Sequence, residues 1–187
     1  TIGDDRVVRI WDLATGQVIQ RFEPGENTVR IVTLSADGSL AAAGDGSKIQ
    51  VWNTRTGEVV SRLEGYWEDP DTKKNWLGHE KEVTALAFSP DGKLLVSGAA
   101  DATCFVWDLE TGEAKWSADG HWGAVTHLGF SQDGKTFLSG SSDTKVRSFR
   151  IPGGAFLAIY PGHLSSVNGV AFGPTSDSIF SVGDDGT

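Results

Sequence analysis

The chain is built from short apolar runs, each bounded by turn-forming residues. Between Gly78 and Leu109, three runs rich in Val, Leu, Ala and Phe are separated by Ser-Pro-Asp-Gly at 89–92 and by a Gly-containing turn at 98–103. Runs of this kind predict antiparallel strands joined in a meander. A lone three-stranded sheet has two faces and nothing to bury them against, so it needs copies of itself on which to stack.

The copies are present along the chain. The position of Trp107 recurs as Trp11, Trp52 and Phe149, at spacings of 41, 55 and 42 residues. An aspartate stands six residues before most of these positions, Gly-His pairs recur ahead of the apolar runs, and Asp-Gly turns recur between them. A period of about 42 residues with four short strands is typical of propeller blades. The aspartates are Asp5, Asp101, Asp143 and Asp185, and the pairs are 78–79, 120–121 and 162–163.

With these motifs, the chain resembles the WD-repeat (Trp-Asp repeat) β-propeller family over its whole length except one insertion. The resemblance implies an all-β protein made of four-stranded antiparallel blades. About four blades' worth is present, as three whole blades plus two complementary half-blades. Such blades usually close into rings of about seven or eight, so we expect this chain to be part of a larger ring.

The repeat predicts where the units begin and end. A degenerate blade carries Pro24-Gly25 in place of Gly-His, and 66–77 is an excess segment expected on the same face as the Gly-His pairs. The strands expected in the two half-blades are 7–12 and 17–22, and 167–172 and 178–182. The predicted units are a half-blade at 1–23, blades at 24–65, 78–119 and 120–161, the insertion at 66–77, and a half-blade at 162–187.

The segment Ser181–Thr187 matches Thr1–Val7 in its place in the repeat. Each half-blade alone would present an unpaired strand edge, which needs covering. Three completions fit this pattern: the remainder of a longer chain, a second copy of this chain, or closure of the chain onto itself.

Charge and cysteine content narrow the function. The net charge is −9 and no Lys/Arg cluster appears, so binding to nucleic acid or to an anionic membrane is not expected. A basic protein or peptide is a better match for a partner. Cys104, the single cysteine, stands where other repeats carry Val or Ile and is expected to be a buried apolar residue. No apolar run is long enough to span a bilayer, and a cytoplasmic location is the expectation.

His79, Ser97 and Asp101 are the residue types of a hydrolase triad, but they recur in successive repeats, whereas a nucleophile needs one tuned site. The chain is therefore not expected to be an enzyme. Histidines spaced one per blade cannot converge on one metal ion, and no cofactor is expected. The family resemblance instead implies a structural tetrad in which His bridges Asp and Ser, and Ser accepts from the Trp indole. The matching residues are His79, Ser97, Asp101 and Trp107; His121, Ser139 and Asp143; His163, Ser181 and Asp185; and Asp5 with Trp11.

Partners in the resembled family dock on the face that carries the Gly-His loops. The resemblance places a ring of exposed positions around the starts of the inner strands, and aromatic residues near that ring are candidate hot spots. His127, on an inner strand, is interpreted as a packed or channel-lining residue. The candidate partner-binding residues are Arg30, Glu82, Thr84, Thr126, Asn168 and Trp122, with Tyr66, Trp67 and Trp76 in the insertion.

These observations favour a non-catalytic scaffold that binds a protein or peptide through that face. Two alternatives stay open. One is the propeller domain of an enzyme or sensor with a small-molecule site in the central channel. The other is a self-assembling half-propeller that completes its ring as a homodimer.

Overall fold

A computed structural model describes residues 1–25, 27, 29–65, 78–175 and 177–187. In that part of the chain every regular element is a strand, and there is no helix. The protein is therefore all-β, as the sequence predicted. The strands are β1 (Val8–Trp11), β2 (Val18–Phe22), β3 (Val32–Leu34), β4 (Leu40–Asp45), β5 (Lys48–Asn53), β6 (Val59–Leu63), β7 (Val83–Phe88), β8 (Leu94–Ala99), β9 (Cys104–Asp108), β10 (Ala114–Ala118), β11 (Val125–Phe130), β12 (Thr136–Ser141), β13 (Val146–Arg150), β14 (Phe156–Tyr160), β15 (Val167–Phe172) and β16 (Ile179–Gly183).

The strands form five antiparallel sheets in chain order. Sheet I is β1–β2, sheet II is β3–β6, sheet III is β7–β10, sheet IV is β11–β14 and sheet V is β15–β16. Each strand pairs with the next one along the chain, so every sheet is a meander, as predicted for the apolar runs. The insertion predicted at 66–77 lies outside the described residues, and the unit boundaries stay predictions.

The strands expected in the half-blades occur within one residue of their predicted bounds. Val8–Trp11 ends one residue early because Asp12 begins a turn. Its Oδ1 atom accepts hydrogen bonds from the amides of Ala14 at 2.8 Å and Thr15 at 2.9 Å. A side chain that caps the following amides in this way competes with strand pairing.

The Asp-Gly turns share one hydrogen-bond pattern. The Ser89 hydroxyl donates to Asp91 Oδ1 at 2.6 Å and accepts from the Leu94 amide at 3.0 Å. Gly92 follows with a φ of 68°, a conformation that costs glycine little. The same contacts occur at Ser35 with Asp37 and at Ser131 with Asp133. These side chains determine where the first hairpin of each repeat turns.

The hydrophobic core lies between sheets. One cluster joins Ile49, Val51 and Leu63 of sheet II to Val83 and Trp107 of sheet III, and another joins sheets III and IV. Burying an aliphatic or phenylalanine side chain contributes about 1.5–3 kcal/mol relative to leaving it exposed. In both clusters, apolar side chains of one sheet are buried against those of the next. The repeat predicted this arrangement. Cys104 is fully buried in one of these clusters, and burial raises the pKa of its thiol well above the usual range.

Neighbouring sheets approach closely where a second-strand glycine meets a first-strand valine. A Cβ atom on Gly98 would lie 2.7 Å from Val125 Cβ, and one on Gly140 would lie 2.8 Å from Val167 Cγ1. Hydrogen bonds run beside these contacts. The Thr84 hydroxyl donates to the Val125 carbonyl, and one repeat later Thr126 donates to Val167. The stacking distance between sheets therefore depends on the absence of a side chain at these glycines.

We predict that Gly98→Ala lowers the free energy of unfolding by about 1–3 kcal/mol, because the added methyl group overlaps Val125 in a packed interface. Urea unfolding followed by tryptophan fluorescence measures the change. Gly162→Ala is the matched control, since a Cβ there meets nothing within 4 Å and the backbone is not left-handed. Equal stability of the two variants would show that the sheets do not depend on this close approach.

Candidate functional site on the Gly-His face

In each meander, the connection that enters the first strand and the turn between the second and third strands lie at the same end. We call this end the Gly-His face. In sheets III, IV and V it carries the loops that begin at Gly78, Gly120 and Gly162, and the turns that contain Asp101, Asp143 and Asp185.

Sheet III holds a complete chain of hydrogen bonds just below this face. The Trp107 indole Nε1–H donates to Ser97 Oγ at 2.8 Å, and Ser97 Oγ lies 2.7 Å from His79 Nε2. His79 Nδ1 lies 3.2 Å from Asp101 Oδ2. Ser97 has no exposed surface, so its hydroxyl cannot reach a substrate. The arrangement joins two strands, a loop and a turn, and it does not present a nucleophile.

Asp101 also holds the surface loop in place. Its Oδ2 atom accepts the Glu80 amide at 2.8 Å, and its Oδ1 atom accepts the Thr103 hydroxyl at 2.6 Å. Burial alone would raise the pKa of Asp101, but the hydrogen bonds from His79 and Thr103 outweigh it and hold that pKa below its ordinary value. Asp101 is therefore a carboxylate at neutral pH, and it orients the residue that follows the histidine.

Sheet IV has a different chain of contacts, because Phe149 stands where sheet III has a tryptophan. His121 Nε2 lies 2.7 Å from Ser139 Oγ, and Nδ1 lies 2.9 Å from Asp143 Oδ2. Among the described residues, no indole donates to Ser139. Instead Arg147, which occupies the position of Phe105, donates from Nη1 to Asp143 Oδ2 at 2.7 Å and also contacts His121 Nδ1.

Burial and hydrogen bonding together determine the protonation of His121 and Asp143 in sheet IV. Burial lowers the pKa of His121, and the hydrogen bond to Asp143 opposes that shift only in part, so the ring is neutral at pH 7. Burial would raise the pKa of Asp143, but hydrogen bonds from His121, the Trp122 amide and Arg147 hold it at about 2.

Sheets I and V each contain part of the hydrogen-bonded set of residues seen in sheet III. In sheet V, His163 Nδ1 lies 3.0 Å from Asp185 and Nε2 lies 2.8 Å from Ser181 Oγ. Beside sheet I, the Trp11 indole donates to Thr1 Oγ1 at 2.8 Å. Asp5 is paired there with Arg9, and the hydrogen bond from Arg9 lowers the pKa of Asp5 to about 2.

Several candidate partner-binding residues are already engaged within the protein. The hydroxyls of Thr84 and Thr126 donate to the next sheet's backbone, Arg30 pairs with Glu82 at 2.8 Å, and the Asn168 side-chain amide donates to Asp184. Tyr66, Trp67 and Trp76 lie outside the described residues. His127 is on an inner strand, and its Nδ1 atom accepts the Val170 amide of the next sheet at 3.3 Å.

Trp122 differs from these residues in its exposure. Its side chain is 91% exposed on the Gly-His face, while its backbone amide donates to Asp143 at 3.1 Å. Leu164 occupies the same place one repeat later, is 89% exposed, and donates its amide to Asp185 at 2.7 Å. Sequence reasoning missed Leu164, although its position directly after Gly-His could have identified it.

The described residues contain neither a metal-ligating cluster nor a membrane-spanning helix. Among the residues that the structure describes, no three His, Cys, Asp or Glu side chains form a group that could hold a metal ion. The same part of the chain contains no helix long and apolar enough to cross a membrane.

Stacked four-stranded meanders, two of them with a histidine network beneath one face, define the class of β-propeller repeat proteins. The family model of the WD domain, G-beta repeat (WD40), matches residues 71–108, 112–150 and 154–187, which is more than half of the chain. The chain belongs to this family, as its motifs indicated. WD-repeat proteins are generally protein-interaction scaffolds and not enzymes.

Similar proteins include Mitochondrial division protein 1 of Malassezia globosa, 34% identical over 121 residues, which is 60% of this chain and 18% of that protein. The guanine nucleotide-binding protein subunit beta of Zea mays is 30% identical over 110 residues, covering 58% of this chain and 28% of the subunit. Protein Mut11 of Chlamydomonas reinhardtii is 60% identical over 35 residues, or 19% of this chain and 10% of that protein. These matches thus span less than a third of each relative.

We predict that His79 and His121 both carry their proton on Nδ1. In each sheet this nitrogen lies beside an aspartate carboxylate, which can only accept a hydrogen bond. Long-range ¹⁵N–¹H correlation spectra of the imidazoles identify the tautomers.

The variant Arg147→Phe places the sheet III residue in sheet IV, and we expect His121 to keep its proton on Nδ1, because Asp143 still accepts there. Phe105→Leu in sheet III is the control that changes the same position without involving an arginine, and His79 should keep its tautomer. A proton on Nε2 of either histidine in the unaltered protein would contradict the prediction.

Proposed function

We propose that this chain is a non-catalytic scaffold that binds a protein or peptide partner through the Gly-His face, with the insertion at 66–77 contributing to the same surface. The observation that carries the proposal is the pair of protruding side chains, Trp122 and Leu164. Large apolar side chains at such exposure are candidate anchors for a partner, and tryptophan is enriched among binding hot spots.

The backbone below these anchors is held in one position. In both repeats the amide of the protruding residue donates to a carboxylate that is itself bound to a buried or half-buried histidine. A partner that binds a rigid anchor loses less conformational entropy than one that must order a loop. This preorganisation supports the Gly-His face over the opposite face as the docking surface.

The charge of the chain supports a basic partner. The net charge of −9 attracts positive surfaces over distances of about a Debye length and raises the rate of encounter. Long-range attraction of this kind affects association more than the final affinity.

A small-molecule site in the central channel has less support. The inner-strand hydroxyls of Thr84 and Thr126 are committed to neighbouring carbonyls, and the His127 ring accepts a backbone amide. The inner positions described here therefore lack a free acid and base aimed at one point, which catalysis would need.

Selection of peptides from a random display library against the chain tests the proposal. We predict that Trp122→Ala lowers the affinity for the selected peptides about tenfold, as expected for loss of a hot-spot tryptophan. Leu13→Ala is the matched control, since Leu13 is 99% exposed but lies in the turn after the third strand, at the opposite end of the sheets. Equal binding by intact chain and Trp122→Ala, with loss in Leu13→Ala, would place the site on the opposite face.

A Trp67→Ala/Trp76→Ala variant extends the same measurement to the insertion. If the selected peptides bind it as tightly as they bind the intact chain, the insertion does not contribute to the docking surface.

Exposed large apolar side chains on β1 and β16 favour self-assembly as a second candidate function. In β16, Phe180 is 63% and Val182 58% exposed, and Trp11 at the end of β1 is 42% exposed, whereas Trp52 and Trp107 are 2% exposed. We propose that the edge of β16 pairs with an edge equivalent to that of β1, supplied either by a second copy or by further residues of a longer chain.

Light scattering distinguishes the two sources. If a second copy covers the edge, the molar mass is that of two chains and Phe180→Lys returns it to that of one. A mass of one chain at all concentrations would exclude the second copy and leave a longer chain or closure of this chain onto itself.

A further inference from the structure

A small pocket beside Trp122 combines an aromatic wall with two cationic side chains. It has a volume of about 230 Å³ and is lined by Trp122, Asp143, Lys145 and Arg147. The inference below rests on the proposed role of the Gly-His face and concerns the chemistry of one contact on it.

The positive charge in this pocket is only partly matched. Arg147 is nine-tenths buried and pairs with Asp143, so those two charges offset each other. The Lys145 ammonium donates to the Thr144 hydroxyl at 3.0 Å, and no carboxylate of the described residues forms an ion pair with it. The pocket therefore carries a net charge of about one positive unit on a chain that is otherwise strongly acidic.

The pocket is particular to sheet IV. One repeat earlier, the residues at the positions of Trp122, Lys145 and Arg147 are Glu80, Thr103 and Phe105. Sheet III thus presents an acidic and neutral surface at the same place on the same backbone. Because the two sheets share their strand order, the difference comes from the three side chains and not from the fold.

We propose that this pocket receives a single carboxylate of a bound peptide, from an Asp or Glu side chain, while an adjacent apolar residue of the peptide packs on Trp122. Lys145 supplies the charge, and a charge-assisted hydrogen bond is stronger than a neutral one. A doubly charged phosphate is a poorer match, because the Asp143 carboxylate also lines the pocket and would repel it.

This contact is compatible with a partner that is basic as a whole. Long-range attraction depends on net charge, whereas one buried charge pair determines the register in which a peptide lies. The pocket would thus orient a partner that the acidic surface has already attracted.

Two short peptides test the proposal, acetyl-Ala-Leu-Glu-Leu-Ala-amide and its Gln counterpart, titrated at millimolar concentration into ¹⁵N-labelled protein. We expect the Glu peptide to shift the Trp122 indole and Arg147 side-chain resonances, and to bind about tenfold more tightly than the Gln peptide. Lys145→Gln should remove that difference. Lys135→Gln, which removes a lysine whose side chain is 77% exposed at the Asp-Gly turn of the same sheet, should keep it.

The results separate this inference from the proposed function. Equal affinity for the Glu and Gln peptides, absence of shifts at the pocket with either peptide, or an equal effect of Lys145→Gln and Lys135→Gln would overturn the carboxylate site. Peptides selected by display would still lose affinity in Trp122→Ala if the Gly-His face binds partners by apolar contact alone. If the Glu peptide is not preferred and Trp122→Ala does not weaken the selected peptides, the Gly-His face is not the docking surface.

Discussion

The structure depends on the burial of each sheet against its neighbours. A four-stranded meander is one layer thick, so its apolar side chains contact only the sheets on either side. The glycines at 44, 98 and 140 allow the valines at 83, 125 and 167 to approach the backbone of the preceding sheet. Threonine hydroxyls bonded across the same boundary align the inner strands. Stability is therefore a property of neighbouring sheets and not of any sheet alone.

The same residues connect this stacked core to the surface. Asp101, Asp143 and Asp185 each accept from a histidine below and from a backbone amide above. A carboxylate with several donors is held in one orientation, and so is the loop that it bonds. Residues 80, 122 and 164 are thus presented at fixed positions whatever their side chains are. Variation at these positions changes what the face can bind without changing the fold.

The sequence predicted the all-β fold, and it grouped each histidine with a serine and an aspartate, because both follow from a repeated pattern. His79, Ser97 and Trp107 stand on different segments, and the period alone indicates that they belong to one unit. The hydrogen bonds from Thr84 and Thr126 to the next sheet were not predicted. A threonine at the start of an inner strand looks the same in the sequence whether its hydroxyl faces solvent or a neighbouring carbonyl. Only the distance between sheets decides between these roles.

Arg147 shows a further limit of reading one repeat at a time. By position it replaces Phe105, and Phe149 two residues later replaces a tryptophan, so each change alone suggests a weakened unit. In the structure the two changes act on opposite sides of one histidine: Ser139 still contacts His121 where sheet III adds an indole donor, and Asp143 gains a guanidinium donor. The network is rearranged and every polar group in it keeps a partner. Because the arginine brings a charge to the edge of the Gly-His face, a substitution inside the sheet also changes the chemistry of the surface beside Trp122.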